Sequence, residues 1–353
     1  MESGFSIGPR RIGRSHPPLV IAEMSGNHNN SLDRALAIVD AAAASGAHAV
    51  KLQTYTADSM TLDLDVPPFR ITDPKSLWSG RTLYDLYREA STPYDWHAPI
   101  MARCKAHGML CFSTPFDADA VDFLESLDVP AYKIASFENT DIPLLQRVAA
   151  TGKPIIMSTG MATLAELEES VAALREAGAS AFILLKCTSS YPAPPDDTNL
   201  ATIPDLRARF ACEVGLSDHT HGIGVAVAAV ALGATVVEKH FTLARADGGV
   251  DSAFSMEPHE LRALVDETER AWRGLGTASY GPTAAERGSL TYRRSLYAVE
   301  DIAAGAPFTT ANVRAIRPAG GLPPKHMREL LGRTAATPIA RGTPLTWELV
   351  RAR

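Results

Sequence analysis

Gly215-Leu216-Ser217-Asp218-His219-Thr220, followed one helix-length later by Glu238-Lys239-His240-Phe241, decides how this chain is read. Each stretch ends a short, β-rich apolar run, Cys212 to Leu216 and Ala234 to Val237. Each sets a histidine where a buried strand emerges into a loop. Neutral imidazoles are common metal ligands, and two on adjacent parallel strands can share one cation. Two ordinary core histidines would leave the same letters. The metal reading gains because the other strands of the chain end in the same polar way.

Upstream, Pro18 to Ser25 (PLVIAEMS) reads as a buried strand and Asn27 to Ser31 as a polar turn. Leu32 to Ser45 has helical spacing of Leu36, Ile38, Val39 and Ala42, and Gly46 stops it. His48 to Tyr55 is a second strand. Thr56 to Gly80 is long and irregular and holds Pro67-Pro68, as lids and binding loops do. Arg81 to Ala90 and Tyr94 to His107 read as helices. Six more apolar segments follow: Met109–Phe116, Ala131–Ser136, Pro154–Gly160, Ala181–Cys187, Cys212–Ser217 and Thr235–Phe241. Helical stretches lie between them, including Asp119–Leu127, Ile142–Ala150, Leu164–Ala177 and Gly222–Leu232. Eight strand–helix units between residues 18 and 275 predict a closed (β/α)8 TIM barrel. An open doubly wound sheet is the alternative, and it wants a Gly-rich fingerprint after the first strand that this chain lacks.

Barrel enzymes keep their reacting groups at the C-terminal strand ends. Those ends are Glu23, Lys51 with Gln53, Thr114, Lys133 with Ser136, Ser158, Lys186 with Thr188, Ser217 with His219, and His240. Residues two apart share a strand face, so Lys51 goes with Gln53 and Ser217 with His219. Lysines inside apolar runs need a partner. That partner is either an anionic ligand or a carboxylate such as Glu23 or Glu138. Hydroxyls clustered at the same ends favour a phosphate, held by side chains from several strands because no P-loop is present.

Composition narrows the class. The 353 residues are 46% apolar and 21% charged, with net charge −6, enough for a large domain plus a small one. No basic block invites nucleic acid or an anionic membrane. No apolar run spans a bilayer, and Met1-Glu2-Ser3-Gly4 opens without a signal-peptide core. Cys104, Cys111, Cys187 and Cys212 form no C-x-x-C pair, so reduced thiols in the cytoplasm are expected. Residues 1–275 are assigned to the barrel and 276–292, with Gly281-Pro282, to a linker. Residues 293–353 form a turn-rich module whose size is marginal for a free-standing core.

These motifs resemble the sialic acid synthase family, whose members condense phosphoenolpyruvate with an amino sugar. The resemblance runs from Ile21 to Leu345. It rests on Ile21-Ala22-Glu23, Lys51-Leu52-Gln53-Thr54, Phe112-Ser113-Thr114-Pro115-Phe116, Pro130-Ala131-Tyr132-Lys133-Ile134, Ser158-Thr159-Gly160-Met161, Cys187 to Pro192, and the two histidine stretches. The tail, with Asp301-Ile302 and Arg317-Pro318, resembles the family's antifreeze-like SAF domain. Within the family, Gln53 to Asp58, Ser76-Leu77-Trp78, Gly80 to Tyr87, Thr92-Pro93, Trp96-His97, Gly248 to Ser252 and Arg293 to Leu296 look most like the branch that makes pseudaminic acid.

The resemblance implies a set of roles. His219 and His240 would bind a divalent cation, Mn²⁺ first, with Mg²⁺ or Co²⁺ next. Lys51, Thr114, Lys133, Ser136, Ser158, Ser189 and Ser217 would hold phosphoenolpyruvate, and Phe116 would add a substrate contact. Ser189 stands where N-acetylneuraminate synthases carry asparagine, and its hydroxyl can still bond a phosphate. Glu23, Gln53, Tyr191 and Asp251 would meet the sugar or a metal-bound water, and Glu138 would handle a proton. Glu23, Glu138, His219 and Asp251 are thus the catalytic candidates. Arg317 would come from a partner subunit in a homodimer that exchanges C-terminal domains. Competing readings are a synthase of neuraminic or legionaminic acid, a Schiff-base aldolase using Lys133 or Lys186, and an ice- or sugar-binding protein led by the tail.

Overall fold

The structure, a computed structural model, describes residues 4–352. Met1-Glu2-Ser3, part of the signal-peptide reading, and Arg353, the last residue of the expected module, lie outside the described residues. The chain divides into two compact units, Met1–Gly276 and Thr277–Arg353.

In the first unit, β1 (Phe5–Ile7) and β2 (Arg10–Ile12) make an antiparallel hairpin. Then β3 (Leu19–Glu23), β4 (Ala49–Thr54), β5 (Leu110–Pro115), β6 (Tyr132–Ile134), β7 (Ile155–Ser158), β8 (Phe182–Cys187), β9 (Glu213–Ser217) and β10 (Val236–His240) follow one another around a closed parallel barrel. β10 pairs with β3 to close it. The helices are α1 (Leu32–Ala44), α2 (Ala57–Met60), α3 (Leu83–Ala90), α4 (Tyr94–Ala106), α5 (Ala118–Ser126), α6 (Ile142–Ala149), α7 (Leu164–Glu176), α8 (Thr202–Phe210), α9 (Gly224–Ala231) and α10 (Pro258–Leu275). The second unit holds the antiparallel pair β11 (Ser295–Ala298) and β12 (Val313–Ile316) and the single turn α11 (Met327–Leu330). Among the described residues, no helix is long and apolar enough to cross a membrane.

Period-two alternation builds the barrel. Outward residues such as Val20, Val50, Ile134, Met157, Leu184 and Val214 pack on helix residues such as Ile38, Val39, Leu145 and Leu174. Inward residues change character along each strand. Near the N-terminal ends, Leu19, Ile21, Ala49, Phe112, Ala131, Ile156, Ile183 and Val236 form an apolar plug. At the C-terminal ends, Glu23, Lys51, Gln53, Lys133, Ser158, Cys187, Ser217, Glu238 and His240 line a cavity. Gly215 takes an inward position where a Cβ would lie 2.4 Å from the Val236 carbonyl, so β9 and β10 approach closely there.

Three local features add to or depart from the sequence reading. The hairpin was not anticipated. Its Ile7 and Ile12 are 0% and 2% exposed and complete the apolar plug, each burial contributing about 1.5–3 kcal/mol. α8 is the helix of a unit for which the sequence reading gave no bounds; Pro204 falls in its first turn, where the missing N–H costs nothing. α3 starts at Leu83 rather than Arg81, because Thr82 caps it by accepting from the Asp85 amide at 3.1 Å. The second unit has a core of its own, built on Leu296, Phe308, Val313, Leu330, Ile339 and Leu345.

Candidate active site

A cavity of about 500 Å³ opens at the C-terminal strand ends. It brings together Glu23, Lys51, Gln53, Phe116, Lys133, Ser136, Glu138, Ser158, Ser189, Tyr191, Ser217, His219, His240 and Asp251. Thr114 sits beneath, accepting from Lys51 Nζ at 3.3 Å. Arg317 follows β12 in the second unit, where it is exposed. A larger cleft beside Arg70, Arg81 and Arg88 offers no free charge, since these pair with Asp65, Glu89 and Asp85.

Two ammonium groups share a carboxylate at the bottom of the cavity. Lys51 Nζ lies 3.1 Å from Glu23 and 3.1 Å from Glu238. Lys133 Nζ lies 3.8 Å from Glu238 and donates to Ser158 Oγ at 2.6 Å and the Ile134 carbonyl at 3.0 Å. The lysines therefore have carboxylate partners. Lys51 takes Glu23, one of the carboxylates considered from sequence, but Lys133 takes Glu238 rather than Glu138. Burial opposes the charge on Glu238, yet Lys133 and Lys51 hold it below the usual carboxylate range. Burial pushes Glu23 up to about 7 against the pull of Lys51, and Glu138 likewise to about 7 against that of Lys133. Burial also lowers Lys133 to about 8. Glu23, Glu138 and Lys133 can therefore exchange protons within reach of neutral pH, while Glu238 stays ionised between the two lysines.

Hydroxyls surround Lys133. Ser136 Oγ accepts from the Gly160 amide at 3.1 Å. Asn139 holds the same loop by donating to the Ser158 and Gly160 carbonyls at 3.3 and 3.1 Å. A Cβ on Gly160 would lie 2.3 Å from Ser189 Oγ and 2.6 Å from Ser136 Oγ, so only glycine lets these two hydroxyls converge. Ammonium, amide and hydroxyl donors at one place form a cradle for a phosphate.

Next to this cluster, across the Cys187 thiol, the two histidine rings lie 5.4 Å apart between Tyr191 and Phe254. His219 donates its Nδ1–H to the Thr188 carbonyl at 2.9 Å, which leaves Nε2 as its lone-pair nitrogen. His240 Nδ1 is buried without a hydrogen-bond partner among the described residues, and burial with nearby His219 and Lys51 keeps this ring uncharged. Two oriented imidazole donors fit a divalent cation. Among the described residues no group of three or more His, Cys, Asp and Glu surrounds a single metal position, so further coordination would come from substrate or water.

Asp251 faces this pair, 3.8 Å from His240 Nδ1. Ser25 donates its hydroxyl proton to Asp251, and Gln53 Nε2 donates to Glu23 at 2.9 Å and to Ser25 Oγ at 3.1 Å. Above them the segment from Tyr55 to Leu86 supplies an apolar wall of Met60, Ile71, Trp78, Leu83 and Leu86. Trp78 donates its indole N–H to the Val250 carbonyl at 2.8 Å.

Sequence reasoning passed over Glu238, Ser25, Cys187 and Gly160. For Glu238 the signal was present, since it shares a strand face with His240. Cys187 faces the cavity by the same alternation, so its neighbour Lys186 faces away and bonds the Cys187 carbonyl at 2.8 Å; this removes Lys186 as a Schiff-base candidate. His219 draws the Cys187 thiol down to about 6 despite burial, which acts the other way.

A family model described as the NeuB family matches residues 38–280, and one described as the SAF domain matches residues 293–351. A pseudaminic acid synthase of Campylobacter jejuni is 44% identical over 326 residues, covering 92% of this chain and 94% of that protein. A pseudaminic acid synthase of Helicobacter pylori is 40% identical, covering 94% and 97%. The crystal structure of an N-acetylneuraminic acid (sialic acid) synthetase from Leptospira borgpetersenii superposes with TM-score 0.73 at 33% identity, covering 83% of this chain and 97% of that one.

Proposed function

The chain belongs to the NeuB family, and on that premise we propose that it joins phosphoenolpyruvate to 2,4-diacetamido-2,4,6-trideoxy-L-altrose, forming a carbon–carbon bond. C3 of phosphoenolpyruvate attacks the aldehyde carbon of the open-chain sugar. Water adds its oxygen to C2, the C2–O bond of the enol phosphate breaks, and inorganic phosphate leaves.

The side chains divide this work. Lys51 and Lys133, with Thr114, Ser136, Ser158, Ser189 and Ser217, seat the carboxylate and phosphate and offset charge building on the leaving group. Removing one such preorganised donor costs about 3 kcal/mol of barrier. Glu23 and Glu138 titrate near neutrality, which suits a group that gives a proton to the aldehyde oxygen or takes one from the attacking water. Gln53, Tyr191 and Asp251 orient the sugar, and Phe116 excludes water. His219 and His240 would hold a divalent cation, for which we propose Mn²⁺, and the chemistry it supplies when bound is polarisation of the aldehyde carbonyl.

The two-sidedness of the cavity carries this reading. One side is cationic and hydroxyl-rich, as a phosphate-bearing acid requires. The other is Met60, Ile71, Trp78, Leu83 and Leu86, which suits a sugar bearing a methyl group in place of a hydroxyl. The test is phosphate release from phosphoenolpyruvate with a panel of amino sugars. The 6-deoxy diacetamido sugar should be preferred over N-acetylmannosamine, and a strong preference for N-acetylmannosamine or a legionaminic acid precursor would replace the assignment.

We also propose a homodimer in which residues 293–353, beyond a linker at 276–292, serve the neighbouring chain's barrel with Arg317. A guanidinium forks well onto carboxylate, phosphate and sugar oxygens. The four free, buried cysteines and a glycolytic substrate suit the cytoplasm.

A further inference from the structure

Ser25 has φ of +46° and is 3% exposed. That is left-handed backbone, where a Cβ is strained and glycine is the unstrained choice. A serine held there calls for a reason in its hydroxyl. The loop Ser25–His28 does not need that hydroxyl as an anchor. Asn27 already pins it, donating to the Phe241 carbonyl at 3.0 Å and to Ser255 Oγ at 2.8 Å.

The hydroxyl instead points into the cavity, where Ser25 is a lining residue. It donates to Asp251 Oδ2 and accepts from Gln53 Nε2 at 3.1 Å. Asp251 comes from the loop after β10, two residues beyond the pair Gly248-Gly249, both at positive φ. Gln53 comes from β4. One hydroxyl therefore joins three separate loops and strands at the point where the acceptor should sit.

We propose that Ser25 is a positioning residue for the acceptor sugar: its hydroxyl, held in a left-handed turn, fixes the Asp251 carboxylate and the Gln53 amide in the orientation in which they meet the substrate. This rests on the condensation proposed above. Of the phosphoenolpyruvate groups, Lys133, Ser136, Ser158 and Ser217 lie on other strands, and Lys51, on β4 with Gln53, is held by Glu23 and Glu238 rather than by Ser25.

The experiment compares the wild-type chain with Ser25→Gly and Ser25→Ala, reading Tm together with kcat and KM from phosphate release with the 6-deoxy diacetamido sugar. Ser25→Gly relieves the backbone strain and loses the hydroxyl. Its Tm should equal or exceed that of the wild type while kcat falls roughly 10- to 100-fold and KM for phosphoenolpyruvate stays within about twofold. Ser25→Ala keeps the wild type's strain and loses only the hydroxyl, so its Tm should stay near that of the wild type while kcat falls as in Ser25→Gly. An active wild type with Ser25→Gly retaining kcat within about twofold would overturn the role. So would a Tm of both variants well below that of the wild type, which would make the hydroxyl a fold anchor. A wild type that releases no phosphate with any amino sugar overturns the condensation itself, and this inference with it.

Discussion

Glu238 lies 3.1 Å from the ammonium of Lys51 although β3 runs between their strands. The same carboxylate is 3.8 Å from Lys133, so it is the counter-charge that two buried lysines share. Removing one partner of a buried pair costs about 3–5 kcal/mol. Glu238→Gln should therefore lower Tm clearly. Phosphoenolpyruvate, bringing anionic groups to the same lysines, should raise the variant's Tm by more than it raises the wild type's. Thermal melts with and without phosphoenolpyruvate check this; an unchanged Tm with an ordinary ligand shift would remove Glu238 from the role.

The paired imidazoles make a metal prediction. Chelation should abolish turnover and Mn²⁺ should restore it. His219→Ala should keep the fold, by circular dichroism, and lose the cation, by elemental analysis. Full turnover in excess chelator with no metal retained would refute the site.

Glu138 gives a pH dependence with a definite sign. Its folded pKa of about 7 lies above the ordinary 4.5, so the native state binds this proton more tightly than the unfolded chain does. That contribution to stability is complete below about 4.5 and is lost as pH rises through about 7. Glu138→Gln should thus gain stability relative to the wild type on going from about pH 5 to about pH 8. Denaturant titrations at the two pH values measure it, and a difference that is flat or opposite in slope contradicts the burial effect.

The exchanged dimer predicts complementation. Arg317→Ala and His219→Ala chains should each be inactive alone. In a mixed dimer with exchanged modules, one site collects both defects and the other collects none, so activity returns. If each module serves its own barrel, every site keeps one defect. No rescue, with subunit exchange verified by mass spectrometry, would exclude the exchange.

Much of this was legible in the sequence because it is local. Helical spacing such as Leu36, Val39 and Ala42, and strands bounded by turns, recur often enough to fix a barrel. Alternation then fixes which side chains of a strand go together: Lys51 with Gln53, Ser217 with His219. A polar residue at the C-terminal end of an otherwise apolar strand is visible without coordinates, and the strand ends named from sequence gather around one cavity apart from Thr114, just beneath it, Lys186, which faces away, and Thr188, whose hydroxyl bonds the Asp197 carbonyl outside it. Tertiary structure alone decided the rest. Glu238 meets Lys51 only because β10 returns to pair with β3, a closure between residues more than two hundred positions apart. The plug of Ile7 and Ile12 depends on the same closure, which leaves an open end to be filled. Ser25 looks like any loop serine until its backbone is seen to turn left-handed beneath Asp251. Charge balance and backbone strain depend on which groups converge in space, and a one-dimensional pattern carries only which groups are neighbours along a strand or a helix.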